Sequence, residues 1–272
     1  MGQLGSVESR EGRSSPAGSG PPPSTWCPVA KGRQDVVARS RRETMEFEEY
    51  KSNYVAEVQQ AIDFAGQGHD FYIRVKADEL VASCRRQLGT LADRKILDVG
   101  CGIGLMSKYV VDNFAHLDGI DIAPGVVERA GQICPEGHFQ LYGGGTIPFP
   151  DGRFDVVFTC CVMHHVPPAQ WTALVTEMGR VLKPGGLLFI FEHNPYNPLT
   201  RRTVNHCRFD ADAVLLTRRK STRLAQEAGL KPAEARYILF FPLKGGVFRS
   251  IESGLRWLPM GAQYFVSARR AG

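Results

Sequence analysis

Residues Lys95 to Gly104 read KILDVGCGIG: an apolar run closing on an acid, then three glycines at alternate positions, then a helical pattern opening at Leu105. The run Ile96–Val99 has the length and apolar character of a buried strand. Without a Cβ, Gly100, Gly102 and Gly104 let the backbone turn sharply and approach a ligand closely. The helix that follows aims its first N–H groups at the same place. The next apolar run, Leu117–Asp121, ends in a carboxylate about 20 residues beyond the first glycine, where it can accept both hydroxyls of a ribose. A nucleotide-like ligand is implied. The dinucleotide fingerprint G-x-G-x-x-G would need glycine at position 105, which is Leu105, so the spacing argues against a nicotinamide dehydrogenase.

Around this motif, strands and helices alternate. Expected strands are 96–99, 117–121, 139–142, 154–160 and 187–191. Expected helices are 105–114, 125–133 and 169–182. Such a βαβ series builds a parallel sheet. Lys183-Pro184-Gly185-Gly186 reads as a turn. A polar stretch covers 194–216, followed by a helix over 217–228 and two late strands, 235–241 and 262–268. Before the motif, two helical stretches are expected between 46 and 88, with Phe71, Val75, Leu80 and Val81 as the apolar stripe of the second. Residues 1–44, typified by PAGSGPPPS, lack either periodicity and read as a disordered leader.

The 272 residues, 43% of them hydrophobic, can bury one substantial core, so one domain is expected over 45–272. It divides into an N-terminal helical lid (45–94), a cofactor-binding half (95–193) and a substrate-side half (194–272). No apolar run reaches the roughly 20 residues of a membrane helix. Seven scattered cysteines without paired C-x-x-C spacing argue against a disulfide framework and against a zinc site, and a reducing cytoplasm is the expected location. Spacing of the carboxylates suggests no catalytic metal either. Basic charge gathers late: residues 201–272 hold fourteen Lys/Arg against five Asp/Glu, an asymmetry that can mark an anionic partner or simply a solvated face.

With GIDIAPGVVERA, IPFPDGRFDVVF, HHVPP and RVLKPGG following the glycine motif in order, the chain resembles the class I S-adenosylmethionine-dependent methyltransferases, in their small-molecule branch. The resemblance is tight over 95–193. It implies an α/β, Rossmann-like methyltransferase fold: a mostly parallel seven-stranded sheet with helices on both faces and an antiparallel last strand. It implies S-adenosylmethionine as cofactor and a small-molecule methyl acceptor. Asp98 and the backbone of Gly100, Cys101, Gly102 and Gly104 would then lie near the methionine portion. Asp121 would hold the ribose, Ile122 would pack on adenine, and the peptide at Cys160 would line the amino-acid end. Relatives place an acid before the L-P-F turn to accept from the adenine amino group. Here Tyr142 is followed by Gly143, Gly144 and Gly145, so adenine recognition falls to backbone groups around Gly144.

Methyl transfer from a sulfonium asks the protein chiefly for alignment of donor and acceptor. Where the acceptor is a hydroxyl, a base helps. His164, His165, Glu192 and His193 sit at the carboxyl ends of the fourth and fifth strands, where open α/β sheets bind ligands. His165 and His193 are favoured, with Glu192 as the accompanying carboxylate. Asn194-Pro195-Tyr196 resembles the motif of nucleic-acid amino methyltransferases but follows the wrong strand. Cys160 and Cys161 lack the proline expected of a cytosine-C5 nucleophile. A nucleic-acid methyltransferase, favoured only by the basic C-terminal charge, and a non-catalytic cofactor-binding protein are the alternatives.

Overall fold

The computed structural model describes residues 68–207, 210–241, 252 and 254–272. The leader expected over 1–44 and the first helical stretch after residue 45 lie outside the described residues. The elements are α1 (His69–Leu88), β1 (Lys95–Val99), α2 (Leu105–Val110), β2 (His116–Asp121), α3 (Pro124–Ile133), β3 (His138–Leu141), β4 (Phe154–Cys160), α4 (Trp171–Val181), β5 (Leu182–His193), α5 (Pro198–His206), α6 (Arg218–Glu227), β6 (Leu230–Ile238) and β7 (Gln263–Arg270). Short 3-10 turns occupy Val111–Asn113, Met163–His165 and Pro168–Gln170.

The seven strands form one sheet in the order β3-β2-β1-β4-β5-β7-β6. Strands β1 to β5 pair in parallel, and β7 runs antiparallel between β5 and β6. This is the Rossmann-like methyltransferase architecture expected from the sequence. The central strands are apolar on both sides because both faces are covered. Ile96, Val156, Leu187 and Phe189 point into one core with α1 and α2. Their neighbours Leu97, Val157, Leu188 and Ile190 point into the other with α4 and α6. In α1 the expected stripe residues Val75, Leu80 and Val81 are buried, and Phe71 packs against them.

Three departures from the sequence reading have physical causes. Lys183–Gly186 lies inside β5 as a bulge: Leu182 pairs with Phe154 and the next pairing is Leu187 with Val156. The polar stretch contains α5, whose start is fixed by Asn197; its side chain accepts from Leu199 N at 2.9 Å and Thr200 N at 3.0 Å. Proline at the first helical position completes that signal, which was present in the sequence as Asn197-Pro198. Strand β6 begins at Leu230 rather than 235. It is an edge strand whose first residues are largely exposed, so no apolar alternation marks them, and an edge tolerates Pro232.

At the amino end of the sheet, Asp155 of β4 ties neighbouring segments together. It accepts from Arg94 (3.0 Å), from Lys95 N (3.0 Å) and from Lys183 Nζ (2.7 Å). Burial pushes its carboxyl up, but these donors outweigh it and hold the pKa below the usual range. A depressed folded-state pKa contributes stability that is full above the unfolded value near 4 and lost as pH falls through the folded one. Asp155→Asn is therefore expected to destabilise the fold by about 1.5–3 kcal/mol at neutral pH. In urea melts the gap to wild type should narrow below about pH 4; a gap independent of pH would show that the charge is not what matters.

Candidate active site

The order of strands reverses between β1 and β4, and their carboxyl ends open a crevice there. After β1 the chain is held to β2 by two bonds to one carbonyl, Gly100 N and Cys101 N donating to Ile120 O at 2.8 and 3.0 Å. The glycines of this loop do different things. A Cβ on Gly100 would lie 2.5 Å from Val162 Cγ2, so that glycine allows the loop to touch the segment after β4. Gly102, at φ +52, has nothing within 4 Å of where a Cβ would stand, which leaves its backbone open to a ligand. Cys101, between them, is buried, and Gly104 caps α2.

Asp121, the last residue of β2, accepts from Gly102 N through Oδ2 at 2.9 Å and from Ala123 N through Oδ1 at 3.1 Å. Burial raises its pKa and these backbone bonds oppose the rise. Each carboxylate oxygen keeps a further lone pair, so a vicinal diol could be held beside the open Gly102. Ile122 next to it is 38% exposed, and its Cγ2 lies 3.5 Å from the position of a Cβ on Gly144. An apolar surface of that kind beside a diol acceptor suits a nucleoside. Asp98 is buried, and burial pushes its carboxyl well up. It accepts from Ser107 Oγ at 2.7 Å, joining the end of β1 to α2.

Across the crevice, β4 ends at Cys160 and β5 at His193. Cys161 takes a left-handed φ of 58 while its N–H donates to Phe191 O at 2.9 Å. Its sulfur faces Lys76 Nζ of α1 at 3.8 Å and Gln263 Nε2 of β7 at 3.7 Å. The turn Met163–His165 follows, pinned by Trp171 Nε1, which donates to Met163 O and Val166 O, both at 2.8 Å. Glu192 is fully buried beneath this turn. It accepts from Met163 N at 2.8 Å and pairs with His164 Nδ1 at 2.6 Å. The other nitrogen of His164 lies 3.4 Å from Asp210 Oδ1, and His165 Nε2 lies 3.5 Å from the same oxygen. The His193 ring stands 5.1 Å from that of His164, and its Nδ1 lies 3.3 Å from Gln263 Nε2.

Charge in this cluster is sharply divided. Burial alone would strip His164 of its proton, but Glu192 and Asp210 outweigh it and hold the imidazole pKa up at about 10. His165 and His193 are pushed down to about 4 by burial and by the charge on His164. A cationic imidazole between two carboxylates is thus flanked by two neutral ones at neutral pH.

The structure brings His165, His193 and Glu192 into one cluster, in which the Glu192 carboxylate is enclosed and engaged by His164 and the Met163 peptide. His164, named with them in the sequence but not favoured, joins the cluster, and Asp210, Lys76 and Gln263 complete it. These last three were not singled out because residues so far apart in the chain share no spacing. Asn194 is spent on structure, donating to Pro259 O at 3.1 Å and Gly261 O at 2.7 Å. The Cys160 thiol is pushed up by Cys161 and by burial, which does not suit a nucleophile.

Residues 96–186 match the protein family described as a methyltransferase domain. An uncharacterized methyltransferase of Synechocystis is 33% identical over 105 residues, 38% of this chain and 50% of that protein. The 2-methyl-6-phytyl-1,4-hydroquinone methyltransferase of Synechocystis is 36% identical over 103 residues, 36% of this chain and 32% of that protein. The alignments span half or less of these relatives' length. Among solved structures, the S-adenosylmethionine-dependent methyltransferase of Mesorhizobium loti superposes with a TM-score of 0.53 at 18% identity, covering 71% of this chain and 100% of that one. Glycine loop, sheet topology and family match agree: residues 96–186 are similar to a methyltransferase domain, and the strands around them form a Rossmann-like methyltransferase fold.

Proposed function

We propose that this chain transfers a methyl group from S-adenosylmethionine to a small-molecule acceptor bound against the histidine cluster. The observation that carries the reading is the pairing of an open glycine cradle beside Asp121 with neutral imidazoles across one crevice. The cofactor supplies an already activated methyl group. The protein's own work is to hold both partners and manage a proton. Asp121 holds the ribose hydroxyls. Ile122 and the backbone at Gly144 hold adenine. The backbone of Gly100, Cys101, Gly102 and Gly104, with Asp98 behind it and the Cys160 peptide opposite, receives the methionine portion.

Of the two imidazoles expected as base, His193 suits an acceptor hydroxyl best. As a base through Nε2 it needs its own proton on Nδ1, which lies 3.3 Å from Gln263 Nε2; with that amide turned over, Oε1, which has no partner as placed, accepts from Nδ1–H. Burial keeps the ring neutral at working pH, as a base must be. His164, held cationic by Glu192 and Asp210, positions the neighbouring rings. An anionic handle on the acceptor has narrower support. Arg218 sits over the Tyr237 ring and bonds Ala235 O, and Arg223 pairs with Glu227. Arg201 and Arg202, exposed on α5, are the residues it rests on.

Calorimetry with S-adenosylmethionine and with its demethylated product tests the cofactor assignment. Asp121→Ala should weaken both by roughly 1.5–3 kcal/mol, the worth of a hydrogen bond to a charged group; unchanged affinity removes Asp121 from the site. With an acceptor in hand, His193→Gln should lower kcat by about 10² or more while cofactor affinity holds. A drop in affinity with kcat intact would make His193 a binding residue instead. Arg201→Ala with Arg202→Ala should raise KM for an anionic acceptor and leave the cofactor alone, and indifference to the pair would dismiss the anionic handle.

A further inference from the structure

His164 and His165 come from the turn after β4, and Asp210 from a turn beyond α5, yet their ligating atoms converge. The three atoms, Nε2 of each histidine and a carboxylate oxygen, lie within 4.8 Å of one another. Asp210 Oδ1 is 3.4 Å from His164 Nε2 and 3.5 Å from His165 Nε2. Donors bound 2.0–2.1 Å from a tetrahedral zinc stand about 3.4 Å apart, so two of the three spacings already match. We propose that His164, His165 and Asp210 form a binding site for one divalent transition cation of the zinc type.

The surroundings fit that role. A metal-bound imidazole characteristically gives its other N–H to a carboxylate, which fixes the ring and strengthens it as a ligand. His164 has this arrangement, with Nδ1 2.6 Å from Glu192 Oε2 and Glu192 itself anchored by the Met163 peptide; the cation takes the place of the proton on His164 Nε2, which is released to solvent on binding. Two imidazoles and one carboxylate favour zinc over magnesium, which prefers oxygen donors. The His165 side chain is 28% exposed, so the site has a way in. Three protein ligands leave a fourth position for water or another oxygen ligand. That this ligand is the methyl acceptor rests on the proposed function; the cation site itself does not.

A second group, His116, Asp118 and His138, has comparable spacing at the opposite end of β2 and β3. There Arg153 already donates to Asp118 Oδ2 at 2.9 Å, and its guanidinium would repel a cation. Neither group is legible as a set of ligands in the sequence, because the expectation of no metal rested on spacing along the chain.

The test uses the full chain purified without a histidine tag, stripped with chelator and titrated with zinc chloride against a chromophoric competitor. One equivalent should bind, at least tenfold more tightly than magnesium. His165→Gln should weaken zinc by tenfold or more with unchanged melting behaviour, and Asp210→Asn should weaken it by as much in protein shown to be folded by circular dichroism, whereas His138→Gln should not alter it. Absence of stoichiometric zinc binding, or binding that survives the His165→Gln, Asp210→Asn double variant, overturns the site. S-adenosylmethionine binding measured on the same samples separates the two readings. Cofactor bound without zinc removes only the cation site, and zinc bound without cofactor removes only the methyl-transfer reading.

Discussion

The contact between Gly100 and Val162 fixes the distance between the two halves of the site. The loop after β1 and the segment after β4 leave the sheet where strand order reverses, and at Gly100 the space for a Cβ is already filled by the Val162 side chain. One residue beyond Val162 begins the turn that carries His164 and His165. The glycine loop and the histidine turn are thus packed on each other rather than tethered through flexible chain. Interiors this dense transmit small displacements, so the geometry of the cradle and that of the cluster are set together.

The cluster is a costly thing to bury. Glu192 and His164 are almost wholly enclosed and Asp210 is largely so, and charges taken from water are tolerated only when paired and hydrogen-bonded. Here each is paired: the carboxylates bracket one imidazole, and the Met163 peptide and Trp171 hold the turn that presents it. Apolar residues of similar volume would often be as stable or more so. A polar knot at the mouth of a ligand crevice therefore points to chemistry rather than to stability.

The family match ends at residue 186, whereas the cluster draws on Lys76 before it and on Glu192, His193, Asp210 and Gln263 after it. The segment that matches the family builds the glycine loop and the turn with His164 and His165. The segments that build the rest of the crevice are those least constrained by the resemblance, which agrees with the rule that a shared fold carries many acceptors.

The sequence by itself determined the strand and helix alternation from residue 95 to 193, the glycine loop and the acid at the end of β2. Those signals are local: apolar runs of strand length, glycines at fixed offsets, a carboxylate at a fixed distance. It also contained the Asn197-Pro198 start of α5, which a polar composition masked, while the exposed first residues of β6 left no alternation to read. Only the tertiary structure decided which of these glycines is packed and which has open space beside it, because Gly100 and Gly102 differ in their neighbours and not in their identity. It alone enclosed Glu192, and it alone brought His164, His165 and Asp210 to a common point. Side chains that meet through a sheet edge and two turns have no characteristic spacing along the chain, and their pairing comes into being only when the strands that carry them are packed.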